Sequence, residues 1–103
     1  MKIYNKLVRD KIPQIIEKSG KNPVIKTLSQ KDFIKALDLK LKEEIAEYIK
    51  SKSVEELADI EEVILAILKV NNISRSQFNV IRLQKVKERG SFSKRIKLVR
   101  VEN

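Results

Sequence analysis

Lys42 to Val63, KEEIAEYIKSKSVEELADIEEV, holds two acid pairs at helical spacing on either side of a short polar turn. Glu44 and Glu47 form the first pair, and Glu56 and Asp59 the second. Residues three apart on an α-helix stand on nearly the same face, so each pair offers two carboxylates to one point in space. At about 100° per residue, the apolar arc of the upstream helix centres on Leu41, with Glu44 roughly 60° and Glu47 roughly 120° to one side. In the downstream helix the arc centres on Ile64, with Glu56 about 80° and Asp59 about 140° to the same side. An antiparallel fold-back across Ser51–Ser53 therefore brings all four acids to one side of a hairpin, Glu47 level with Glu56 and Glu44 level with Asp59. Glu43 points outward on this wheel.

Carboxylates at the edge of an apolar face are costly unless something neutralises them. Ser53 followed by Glu56 also reads as a capping box, which would account for Glu56 as a structural residue. Capping leaves Glu44, Glu47 and Asp59 without an explanation, and a shared divalent cation explains all four. The chain has no cysteine and no histidine. Thiolate and imidazole ligands are thus excluded, as are Ser-His-Asp and Cys-His catalysis, and the remaining hard oxygen ligands favour Mg²⁺ or Mn²⁺.

Outward from this hairpin, periodicity predicts an all-α chain of about four helices forming one domain over residues 1–103. Asp10 is expected to cap a first helix with Pro13 in its first turn, ended by Gly20. Ser29 with Asp32 opens the second helix, which carries Phe33, Ile34, Leu37, Leu41, Ile45 and Tyr48 to about Lys50. The third runs from Val54 to about Val70 and is apolar around much of its circumference, which calls for burial by a second subunit. Ser74 with Gln77 starts a fourth, with Phe78, Ile81 and Val86 facing inward, and Gly90 stops it. The β-branched tail IKLVRV is expected to form a short strand paired with VIKTL, near residue 25.

The formal net charge is +9, from 23 basic and 14 acidic residues. Such an excess calls for anionic partners, yet the basic residues are scattered rather than gathered in a stripe. With five aromatic residues there is no stacking platform for single strands, and no recognition helix emerges, which makes nucleic acid a poor fit. No apolar run approaches a membrane span, and MKIYNKLVRD lacks the apolar centre of a signal peptide, so a cytoplasmic protein is expected.

EEIAE followed by ELAD resembles the EExxE and ExxD motifs of the all-α nucleoside triphosphate pyrophosphohydrolases, the MazG-like superfamily. YNKLVRDKIPQIIE near the start and KERGSF near the end are similar to its small phosphoribosyl-ATP pyrophosphohydrolase-like branch. The resemblance implies helical bundles paired as homodimers or homotetramers, in which Glu44, Glu47, Glu56 and Asp59 bind Mg²⁺, or Mn²⁺ in its place. It also implies cleavage between the α and β phosphates of a nucleotide, releasing pyrophosphate and a monophosphate. Glu43, Glu44 and Glu47 are then the candidates for catalytic work, one of them orienting water. Lys6, Arg9, Lys11, Lys85, Arg89 and Lys94 are the candidate phosphate contacts, with Arg9 and Arg89 preferred because a guanidinium grips phosphate through two bonds. Glu61 lies inside the apolar arc without an evident role. Two other readings compete: a basic helical nucleic-acid-binding or regulatory protein, and an assembly module that kept the fold without the chemistry.

Overall fold

The computed structural model describes residues 1–103 and is all-α, a small bundle of four helices with no strand. The helices are α1 (Ile12–Lys18), α2 (Gln30–Ser51), α3 (Val54–Val70) and α4 (Arg75–Arg89). Ser29 caps α2 by accepting from the Asp32 N–H at 3.2 Å, and Ser74 caps α4 in a full capping box with Gln77. Both caps satisfy N–H groups that the first turn of a helix leaves unpaired. α1 differs from its expected start, because Lys11 rather than Asp10 stands at its N-cap and no side chain closes it. Its end is as expected: Gly20 takes φ +89°, and the amides of Gly20 and Lys21 donate back to Glu17 and Ile16. Asn72 plays the same part after α3, with φ +58° and the Ile73 amide bonded to the Leu68 carbonyl. Gly90 ends α4 at φ +84° and ψ −178°, an extended conformation that glycine alone adopts easily rather than the left-handed helical one.

α2 and α3 are the structural pair. Only Lys52 and Ser53 separate them, and Lys52 sits in the left-handed region at φ +59°, its amide closing on the Tyr48 carbonyl at 2.7 Å. So short a link turns the chain straight back, and α2 packs antiparallel along α3. α4 makes slight contact with α3, Arg75 pairing with Glu61, whereas α1 packs against no other helix. The buried residues are Leu37, Val63, Leu68 and, alone among charged side chains, Glu44.

Two expectations change here. Lys21–Leu28 and Ile96–Val101 carry no ladder, and Val24, Ile25, Ile96, Leu98, Val99 and Val101 are all exposed. Their β-branched composition favours extended backbone, but a strand needs a partner edge and neither segment meets one within this chain. On α4, Phe78 is half-buried while Ile81 and Val86 are exposed, because the helix leaves α3 after its first turns. The radius of gyration, 18.3 Å over a body 63 Å long, exceeds the roughly 13 Å of a compact chain of this size. No helix is long and apolar enough to cross a membrane.

The three serine caps divide into two that bond and one that does not, since Ser53 makes no side-chain bond to the first turn of α3. Ser29→Ala and Ser74→Ala are each expected to lower stability in urea melts by about 1 kcal/mol, and Ser53→Ala by no more than a few tenths.

Candidate metal centre

Glu44 and Glu56 face one another because α2 and α3 reverse direction across two residues. Their carboxylates and that of Asp59 each present an oxygen within 4.8 Å of the other two. Glu44 is 5% exposed, and its Oε1 forms an ion pair with Lys40 Nζ at 3.1 Å, one turn earlier on α2. Its Oε2 is buried with no hydrogen-bond partner, and Oε2 of Glu56 is buried with only the Glu47 carboxylate close to that side chain. A buried carboxylate oxygen without a donor costs free energy comparable to a lost charged hydrogen bond, so the cluster carries two costly atoms. Burial, and then the charges of Glu47, Asp59 and Glu44, push the Glu56 carboxyl above the usual range.

This arrangement settles the role of Glu56 between capping and clustering. Ser53 does not accept from the first turn of α3, and the Glu56 side chain joins the acids instead. Glu47 stands apart from the other three: it is exposed and outside their 4.8 Å set, though its carboxylate adjoins Glu56. The wheel placed it farther from the α2 apolar stripe than Glu44, and that larger angle leaves it at the rim.

Glu43 does not point to solvent as its wheel position suggested. It accepts from Lys6 Nζ at 2.9 Å and from Lys40 Nζ at 3.2 Å, because the N-terminal stretch crosses the outer side of α2. The bond from Lys6, opposed by burial and reinforced by Lys40, pulls its carboxyl below the usual range. Arg9, from the same stretch, donates to Asp59 Oδ1 at 2.6 Å. Lys6 and Arg9 thus both pair with carboxylates, Glu43 and Asp59 in turn. Lys11, Lys85, Arg89 and Lys94 are exposed, carry no ion pair and do not line the cavity beside the acids. For the last three the cause is plain: Lys85 and Arg89 lie on α4, which diverges from α3, and Lys94 lies in the turn that follows it. Glu61 pairs with Arg75 at 3.2 Å, both exposed, which removes it from the site.

Lys40 is the residue that sequence reasoning missed. It is 16% exposed and bridges Glu43 and Glu44. Burial draws its pKa down, but the bonds and charges of Glu44 and Glu43 outweigh that and raise it above the ordinary lysine value. The signal was present as spacing, since Lys40 precedes Glu43 by three residues and Glu44 by four. Beside the acids opens a cavity of about 370 Å³, with Arg9, Lys40, Glu44 and Asp59 on its charged side. Phe33, Leu37, Val63 and Ala66 contribute its apolar wall.

A raised folded-state pKa stabilises the fold below the unfolded value, and that contribution disappears as pH rises through the folded one. In chelator, wild type is therefore expected to lose stability relative to Glu56→Gln as pH climbs out of the ordinary carboxylate range. Urea melts at several pH values check this, and parallel profiles would remove the repulsion at Glu56.

No protein-family model matches the chain, and no solved structure matches it. A protein of Mycolicibacterium smegmatis (strain ATCC 700084 / mc(2)155), described as uncharacterized, is 58% identical over 41 residues. That similarity covers 40% of this chain and 42% of the length of the mycobacterial protein, less than half of either.

Proposed function

We propose that the chain is a cytoplasmic nucleotide pyrophosphohydrolase dependent on Mg²⁺ or Mn²⁺, hydrolysing the α–β phosphoanhydride of a nucleoside triphosphate or a phosphoribosyl-ATP-like substrate. The observation that carries this reading is the buried, unpartnered Oε2 of Glu44 within hard-oxygen company. Acid clusters on surfaces are common, but a carboxylate oxygen stripped of water and given no donor needs a positive partner. All-oxygen, histidine-free ligation suits Mg²⁺ and Mn²⁺ rather than zinc. The resemblance of EEIAE and ELAD to the MazG-like motifs points to the same chemistry.

Glu44, Glu56 and Asp59 would hold the ion, with Glu47 at the rim. A divalent ion there supplies charge neutralisation for phosphate oxygens and acidity for nearby water. Glu47, exposed and outside the three-acid set, is the carboxylate left free to orient the attacking water and take its proton. Glu43 is a poorer base, because Lys6 and Lys40 hold it charged. Arg9 and Lys6, both exposed enough to exchange partners, supply cations for the phosphate chain. The apolar wall of the cavity, with Phe33, Leu37 and Val63, receives the nucleoside end.

A second copy completes the fold in this reading. Ile34, Leu39, Ile45 and Ile49 on α2 and Val54 and Leu57 on α3 are exposed, more apolar surface than one chain of this size leaves uncovered. A homodimer or homotetramer is expected by light scattering at micromolar concentration, and a monomer there would overturn this part.

The activity is tested by incubating the protein with a panel of nucleoside triphosphates and phosphoribosyl-ATP in Mg²⁺ and measuring pyrophosphate. Release that stops in chelator and falls roughly a hundredfold or more in Glu44→Gln is expected, since ligand loss exceeds the effect of losing an outer partner. Intact substrates across the panel would end the enzymatic reading.

A further inference from the structure

We propose that Lys40 is a positioning residue that sets the ion preference of the acid cluster, by holding one oxygen of Glu44 so that only the other remains for a cation. The inference rests on the cation site proposed above. Lys40 Nζ lies 3.1 Å from Glu44 Oε1 and 3.2 Å from Glu43 Oε2, and its side chain is 16% exposed. Both contacts run along one helix, at three and four residues, so the ammonium reaches both acids from the element that carries them and not from a separate loop. Arg9 differs in that its own side chain and that of Asp59 are open to solvent and its segment is not helical. Lys40 is the permanent cation of the cluster, and Arg9 the exchangeable one.

The consequence follows from how the two common hard cations use carboxylates. Ca²⁺ takes six to eight oxygens and readily accepts both oxygens of one carboxylate, whereas Mg²⁺ holds to six in a tight octahedron and takes single oxygens. Glu44 has Oε1 committed to an ammonium and Oε2 buried and free. Such a carboxylate offers a single oxygen, the pattern that Mg²⁺ accepts without loss and Ca²⁺ does not. Glu43 strengthens the arrangement from the other side, since Lys6 and Lys40 together hold it charged and it anchors the ammonium in turn.

The test is calorimetric titration of Mg²⁺ and Ca²⁺, each alone, into the metal-free full chain, with circular dichroism to confirm helix content. Removing a positive charge raises affinity for every cation, so the quantity read is the ratio of the two affinities, from which that common effect cancels. Lys40→Met keeps the apolar stem and removes the donor, and its preference for Mg²⁺ over Ca²⁺ is expected to fall on the order of tenfold, as for other outer partners of metal ligands. Lys40→Gln keeps an N–H donor without the charge and is expected to keep the wild-type ratio. Lys40→Arg keeps charge and helix and offers a fork that grips both Glu44 oxygens, so its Mg²⁺ affinity is expected to drop on the order of tenfold. A wild-type ratio in Lys40→Met, an equal change in Lys40→Met and Lys40→Gln, or wild-type Mg²⁺ affinity in Lys40→Arg overturns the role of Lys40 while leaving the cation site standing. Wild type that binds neither ion overturns the site and this inference together.

Discussion

Three carboxylates drawn within 4.8 Å of one another, one of them almost wholly removed from water, set the terms for the rest of the molecule. Their mutual repulsion and lost hydration oppose the packing of α2 on α3, and hydrophobic contact between the helices is modest, with Leu37, Val63 and Leu68 the only buried apolar side chains. What balances the acids is positive charge from two directions: Lys40 from within the hairpin and Arg9 from the N-terminal stretch. Buried charge of this kind is a poor source of stability compared with apolar packing. Here it lies toward the closed end of the hairpin, where the first turns of α3 meet the second half of α2.

The hairpin was legible because helix periodicity, turn chemistry and acid spacing all point the same way between Lys42 and Val63. Helix boundaries for α2 and α3 follow from caps, breakers and periodicity, and the wheel angles draw together four acids, of which Glu44, Glu56 and Asp59 converge and Glu47 stays at the rim. Glu43 was misplaced by the same wheel, since an angle on one helix says nothing about a segment from elsewhere crossing its outer side. Lys6 does so, with 37 positions of chain between the partners. Lys40 was overlooked for a related reason: among 23 basic residues its helical spacing to Glu43 and Glu44 is one such pairing among many, and the burial of Glu44 singles it out. The anticipated strand failed because β-propensity describes a residue's fit to a pleated surface, and no such surface exists here for IKLVRV to join.

Much of the apolar surface of this chain faces outward, from Ile34 and Leu39 on α2 to Ile96, Leu98 and Val101 in the tail. The tail and the stretch around Val24 are extended and lack internal partners, so their backbone amides and carbonyls are as unsatisfied by the rest of the chain as their side chains are. The α2–α3 hairpin is by contrast largely bonded along its backbone, capped at Ser29, closed at Lys52 and sealed after Asn71, with only the start of α3 uncapped.

The two-residue link at Lys52 and Ser53 also bears on the order in which the molecule assembles. Closing a short loop costs little chain entropy, whereas joining Arg9 to Asp59 spans 50 positions and Lys6 to Glu43 spans 37. Local contacts form first under such conditions, and the acids between positions 44 and 59 come together while the N-terminal stretch is still free. During that interval Lys40 is the only one of the site's paired cations carried on the hairpin itself. A nascent hairpin therefore meets its own electrostatic opposition with one built-in ammonium, and the second cation arrives only when the N-terminal stretch docks.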